Sequence, residues 1–251
     1  MQDSNSYLEK KAFFDKILTI YGRNSVVEAL QDESLQIYKL HLSTSNQKAP
    51  IIDKIIALAN KRDIEIAYHD KQSLSRISKN AKQDQGVALD IVMNQALNAE
   101  EFLQNHSSFR VLALDGITNP QNLGMIIRSA AAGDIDAIIL PDKKSSSINP
   151  LVIKASAGTL FRMPIIKTSS LYKTLTKFKE NNAALYTLSS HAKYSYKEES
   201  YPAKTIFVLG NESVGVSKEI ESICDKSIAI PMNRKVESLN VAVTASLLAF
   251  G

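Results

Sequence analysis

The chain has 251 residues, enough for one large domain or two small ones, and a core of that size needs no covalent staple. Apolar residues make up 44% and charged residues 22%, which excludes gross disorder. The single cysteine, Cys224, excludes an internal disulfide and a tetrathiolate zinc site. Thirty basic against 26 acidic residues give a net charge of +4, which permits an anionic partner without demanding one.

Residues 1–18 read as a leader. The opening MQDSNSYLEKKAFFDK mixes acids with bases and has no apolar h-region, unlike a secretory signal, and it lacks the Arg-rich look of a transit peptide. No apolar run approaches the roughly 20 residues needed to span a bilayer. These features point to the cytoplasm.

Residues 19–95 read as a small α/β module. Asn24 or Ser25 can cap a helix with Val26, Val27, Ala29 and Leu30 on its apolar face. Gln36–Leu42 reads as a strand. Pro50 opens a helix whose Ile51, Ile52, Ile55, Ile56, Leu58 and Ala59 recur at helical spacing. A strand at Ile64–His69, a short helix near Leu74–Ser78 and a strand in GVALDIVM complete the module. Residues 96–107 are polar and read as a linker. Residues 108–251 then carry fully apolar strand signals (VLALD, AIIL, IFVLG, SIAIPM) separated by helical patterns at 122–133, 149–157, 170–181, 217–224 and 238–250. That alternation predicts an α/β fold with a parallel sheet covered on both faces.

Three stretches of this second domain carry the features of a site. Each begins where a strand gives way to a loop and a helix, the place where open α/β sheets bind ligands. In DGITNPQNLGMIIRSAAA, Asn122 can cap a helix or face a site, and Arg128 lies one and a half turns further on. In FVLGNESVGVS, Gly210 and Gly215 suit close approach or positive φ, Glu212 is a helix-start acid or a polar ligand group, and Ser217 is a cap. In IPMNRKVESLNVAVTASLLAF, Ser238 can cap the last helix, and Asn240 is an amide in apolar surroundings that needs partners. Neither a phosphate loop nor a Gly-x-Gly-x-x-Gly dinucleotide fingerprint occurs, which argues against a nicotinamide oxidoreductase.

Taken together these stretches resemble the SpoU/TrmH family of RNA ribose 2′-O-methyltransferases, in order and in spacing. The family pattern Asn-x-Gly-x-x-x-Arg-x-Ala matches Asn122 to Ala130, the second motif matches Leu209 to Gly215, and the third matches Ile230-Pro-Met232 with Ser238-Leu-Asn-Val-Ala-Val243. Ala155-Ser-Ala-Gly158 ahead of Pro164 also fits. Tyr21 to Leu30 and Gln85-Gly-Val-Ala88 are similar to the ends of the family's ribosomal-protein-like substrate-binding domain. The chain departs from the pattern at Asp134, where relatives place glycine after the first helix; an Asp at that point can still adopt a left-handed helix stop.

The resemblance implies an α/β sheet with a trefoil knot, a bound S-adenosylmethionine and a homodimer. It assigns Leu209, Gly210, Ile230, Met232, Ser238 and Leu239 to the cofactor, with no metal. It assigns Arg128, Asn122, Glu212 and Asn240 to catalysis: Arg128 as a phosphate anchor or as the base, Glu212 ordering the second motif's loop, and Asn240 fixing the start of the last helix or orienting the cofactor. A guanidinium is a poor base, so anchoring is the physically safer role. The implied substrate is RNA, with a guanosine ribose in 23S rRNA foremost. A tRNA 2′-O-methyltransferase or a non-catalytic RNA-binding or ribosome-assembly factor are the alternatives. Lys143 and Lys144, or Arg234 and Lys235, can line the RNA approach.

Overall fold

The computed structural model describes residues 13–14, 16–79, 84–93, 96–190, 192–234 and 236–251. Most of the expected leader therefore lies outside the described residues. The chain divides into two compact units, Met1–Asn94 and Gln95–Gly251.

The first unit is a four-stranded sheet in the order β1-β4-β2-β3, with helices α1 (Arg23–Gln31), α2 (Pro50–Lys61) and α3 (Lys71–Ser78). The strands are β1 (Ile17–Tyr21), β2 (Ile37–Ser43), β3 (Glu65–His69) and β4 (Val87–Val92). β2 and β3 run parallel, and the other pairs are antiparallel. β1 takes up Ile17 and Leu18, so the module starts inside the expected leader; Leu18 and Ile20 are buried. Neither Asn24 nor Ser25 caps α1, whose cap position is Gly22 with no side-chain bond. On one face of the sheet polar groups meet across all four strands. Asp90 accepts from Thr19 Oγ1 at 2.6 Å and lies 3.0 Å from His41 Nε2, while His41 Nδ1 lies 3.0 Å from His69 Nε2.

The second unit is an eight-stranded, wholly parallel sheet in the order β10-β12-β9-β11-β6-β7-β8-β5. Its strands are β5 (Ala96–Leu97), β6 (Phe109–Asp115), β7 (Ala137–Pro141), β8 (Ile165–Thr168), β9 (Ala184–Leu188), β10 (Tyr194–Ser195), β11 (Lys204–Gly210) and β12 (Lys226–Ala229). Its helices are α4 (Ala99–Asn105), α5 (Pro120–Ala132), α6 (Pro150–Ala155), α7 (Leu171–Glu180), α8 (Lys218–Glu221) and α9 (Val241–Ala249). Central β6 and β11 bury Val111 to Leu114 and Ile206 to Leu209 on both faces, as their unbroken apolar runs require.

The stretch read as a linker is instead part of this unit. β5 pairs with β8, and α4, capped by Asn98, buries Phe102 completely against Phe109 and Phe178. One fully buried aromatic, flanked by the partly buried Ala99 and Leu103, docks this short helix.

Two glycines hold helices together rather than shape turns. A Cβ on Gly124 would come within 2.6 Å of the Val152 carbonyl oxygen, so its absence lets α6 cross α5 closely. A Cβ on Gly133 would lie 2.3 Å from the Ala249 carbonyl oxygen at the end of α9. That contact corrects the expected left-handed stop at Asp134. Gly133 has an extended backbone (φ −109°), and the Asp134 N–H donates to the Ala249 carbonyl at 2.7 Å. Close packing, not a reversed helix end, fixes this corner.

Candidate active site

The carboxyl ends of β9 and β11 and the segment after β12 enclose a cavity of about 310 Å³, within the range of small-molecule sites. All six residues expected to hold a cofactor line it: Leu209, Gly210, Ile230, Met232, Ser238 and Leu239. Leu188 to Ser190, Asn211, Val216, Glu237 and Thr244 line it as well, and none of these was singled out from the sequence. The residues following β9 escaped notice because that strand, ALYTL, mixes polar with apolar side chains.

The cavity owes its shape to one tight loop. β11 ends at Gly210, and Asn211 and Gly215 then bond each other's backbones in both directions (3.1 and 2.8 Å), closing a five-residue turn around Glu212. Gly215 has φ +71°, which favours glycine, and a Cβ on Gly210 would fall 2.2 Å from the Gly215 carbonyl carbon. The loop is tied to β6. Asn211 Nδ2 donates to the Gly116 carbonyl at 2.9 Å, and the Ser217 N–H donates to Asp115 Oδ2 at 2.7 Å.

Three of the four residues expected in catalysis form one hydrogen-bonded chain. Asn240 is the N-cap of α9, and its Oδ1 accepts from the Ala242 N–H at 2.8 Å. That bond fixes the amide's orientation, so Asn240 Nδ2 points away and donates to Asn122 Oδ1 at 3.1 Å. Asn122 Nδ2 in turn donates to Glu212 Oε1. Asn122 is only 8% exposed, so its two distant partners satisfy an amide that would otherwise be costly to bury.

The caps differ from expectation. Asn119, followed by Pro120, caps α5, so Asn122 lies inside the helix. Ser238 lies on the loop before α9, and Asn240 takes the capping role that Ser238 was expected to have. Ser217 holds the cap position of α8 without a side-chain bond.

Arg128 stands apart. Six residues beyond Asn122 it points about 120° away around α5, on the outer stripe it shares with Gln121 and Met125. It is exposed, does not line the cavity, and makes no hydrogen bond or ion pair among the described residues. Lys143, Lys144 and Arg234 are exposed on loops; Lys235 lies outside the described residues.

The lining combines apolar walls from Leu188, Leu209, Ile230 and Leu239 with backbone groups and with serine, threonine and asparagine side chains. Such a mixed lining, with Glu212 and Glu237 its only charged side chains among the described residues, suits a small molecule that has both apolar and polar parts.

The chain also matches known families over both of its units. Residues 110–250 match the profile of the SpoU rRNA Methylase family, and residues 19–97 match that of the RNA 2′-O ribose methyltransferase substrate-binding domain. A 23S rRNA (guanosine-2′-O-)-methyltransferase, RlmB, of Xanthomonas axonopodis pv. citri is 30% identical, over 92% of this chain and 94% of its own. A protein assigned to the TrmH family of tRNA/rRNA methyltransferases in Staphylococcus epidermidis is 32% identical, over 93% and 94%. In fold, the chain superposes on the SpoU methyltransferase AviRb of Streptomyces viridochromogenes, solved in complex with the cofactor AdoMet. The TM-score is 0.67, with 19% identity, over 98% of this chain and 96% of AviRb.

The fold and the domain matches define an RNA methyltransferase. The chain belongs to the SpoU family of RNA ribose 2′-O-methyltransferases, and its cofactor is S-adenosylmethionine.

Proposed function

We infer that this protein methylates a guanosine ribose 2′-hydroxyl in 23S rRNA, with the cavity beside β11 as its cofactor site. The observation that carries the site is the Asn240–Asn122–Glu212 chain, which joins all three motifs at the edge of that cavity. The substrate assignment is supported by the relatives named 23S rRNA (guanosine-2′-O-)-methyltransferase, which align over nearly the whole chain, front domain included.

S-adenosylmethionine brings an activated methyl group, so the protein has to orient the reactants and exclude competing geometries. Leu209, Ile230, Met232 and Leu239 provide apolar contact, while Gly210 and Ser238 provide polar groups along the cavity wall. Asn122, Glu212 and Asn240 hold the second motif's loop against the start of α9. Arg128 anchors an RNA phosphate beside the target ribose, as its exposure and freedom from partners suit.

The active form is a homodimer in which Arg128 serves the partner's cavity. Its placement on an outer stripe with Met125 (46% exposed), away from the cavity of its own chain, supports this reading. Val243, on α9 packed against α5, is also exposed, at 43%. The trefoil-knotted path and a cytoplasmic location belong to the same proposal. No helix among the described residues is long and apolar enough to cross a membrane.

The test is methyl transfer from labelled S-adenosylmethionine to 23S rRNA and to tRNA, with the modified position mapped. Label in a 23S guanosine ribose supports the reading. Label only in tRNA moves the substrate assignment, and cofactor binding without transfer to any RNA would favour an assembly factor. Light scattering that finds an active monomer would refute the dimer.

A further inference from the structure

The charge of the cavity is one-sided. Among the described residues that line it there are two carboxylates, Glu212 and Glu237, and no lysine, arginine or histidine. The two acids are not equivalent. Glu212 accepts the Asn122 amide and sits in a closed turn. Glu237 lies on the loop after β12, is exposed, and makes no hydrogen bond or ion pair among the described residues. Lys193 lines the adjoining groove, which shares Glu237 and Ser238 with the cavity, but it does not line the cavity itself.

Resting on the reading of this cavity as the cofactor site, we propose that Glu237 makes it select the cationic methyl donor over the neutral thioether left after transfer. The physical argument is a charge difference at one atom. S-adenosylmethionine carries a sulfonium besides its balanced ammonium and carboxylate, and so bears a net positive charge. S-adenosylhomocysteine keeps every other group but has an uncharged sulfur. Apolar walls and neutral hydrogen-bonding groups bind the two nearly alike. A fixed charge on the lining distinguishes them most strongly, and a carboxylate favours the cation. Glu237 is the better placed of the two acids to do so, because no donor among the described residues holds its carboxylate, whereas Asn122 Nδ2 holds Glu212 Oε1. Two unit charges about 6 Å apart across a solvent-open cavity attract by an amount worth about three- to tenfold in affinity. The preference helps product leave, since the contact weakens as the methyl group departs.

The test is calorimetric titration of the full-length protein with each ligand separately, in the absence of RNA. Glu237→Gln keeps the shape of the side chain and removes its charge. It should weaken S-adenosylmethionine about three- to tenfold and S-adenosylhomocysteine by less than about twofold. Glu237→Asp should retain most of the discrimination. Equal weakening of both ligands, or no change in either, overturns the proposal.

Leu239→Trp, which fills the cavity wall, separates this failure from that of the cavity reading. If it abolishes binding of both ligands while Glu237→Gln fails to discriminate, the cavity stands and only the charge argument falls. If Leu239→Trp binds both ligands as the wild type does, the cavity assignment is wrong and the proposal falls with it. Thermal melts of each variant identify loss of fold.

Discussion

Asn240 joins two functions that a single substitution can separate. Its Oδ1 caps α9 through the Ala242 N–H, and its Nδ2 satisfies Asn122 Oδ1. Asn240→Ala removes both. Loss of an N-cap side chain costs about 1 kcal/mol. Leaving the buried Asn122 carbonyl without its donor costs about another 1 kcal/mol, at the low end of that range because the exposed Asn240 side opens it to water once truncated. The expected total is about 2 kcal/mol, read as a lower urea midpoint at unchanged slope.

Asn240→Asp keeps an acceptor for Ala242 and favours the positive end of the helix dipole. It cannot donate to Asn122, however, and it sets a carboxylate against the Asn122 carbonyl oxygen, one residue from Glu212. The Asp variant should recover the capping part of the loss and still bind S-adenosylmethionine at least about fivefold more weakly than wild type, because the second motif's loop loses its tie to α9. An Asp variant with both wild-type stability and wild-type cofactor affinity would refute the idea that the hydrogen-bonded chain orders the site.

Gly133→Ala places a methyl group 2.3 Å from a backbone oxygen that cannot move without shifting α9, so a loss of about 2–3 kcal/mol and a melting point lower by several degrees are expected; an unchanged melt contradicts the packing argument. His69 is held below the ordinary histidine pKa of 6.5, first by burial and then by the neighbouring His41 ring. The unfolded chain therefore takes up that proton first as the pH falls below about 6.5, and the first unit loses stability in that window. Protection factors of the β2 amides, corrected for the pH dependence of intrinsic exchange, should fall there, and His69→Gln should flatten the dependence; identical protection profiles for the two proteins count against the assignment. Burial pushes the Cys224 thiol up to about 12, so native protein at pH 8 should react with iodoacetamide at least about 100-fold more slowly than free cysteine and at the ordinary rate in urea. Rapid native labelling would show that the thiol is not shielded.

The central strands were legible because β6, β7 and β11 are unbroken apolar runs, a pattern that burial on both faces imposes. β8 (IIKT) and β9 (ALYTL) were missed for the converse reason: they are short and carry polar residues, and neighbouring strands decide their pairing. The docking of residues 96–105 was hidden because a seven-residue helix has room for little periodicity, with Phe102 its one fully buried residue and Leu97, Ala99 and Leu103 only partly buried beside it. The cap of α5 was within reach: Asn119-Pro120 puts a capping side chain directly before a proline at the first helical position. The role of Gly133 was not, since the oxygen that excludes a side chain there belongs to Ala249, more than a hundred residues away.

The same distance argument explains why the candidate site was read as separate pieces. Asn122 is 90 residues from Glu212 and 118 from Asn240. Within its own segment it has an adequate local explanation as a helix residue near a cap. Only burial changes that account, because an amide sunk between a loop and a helix needs a donor on one side and an acceptor on the other. The fold supplies both by bringing the end of β11 and the start of α9 to the first turns of α5. The three motifs thus express one local requirement, a continuous run of donors and acceptors from α9 to the loop around Glu212. Arg128 is not part of that run. Its motif position beside Asn122 is set by α5, yet the helical turn between them sends the two side chains to different faces. On the proposed dimer reading, Arg128, which shares the motif but does not line its own chain's cavity, reaches the partner's site, and the oligomeric state and the RNA contact of Arg128 are then tested together.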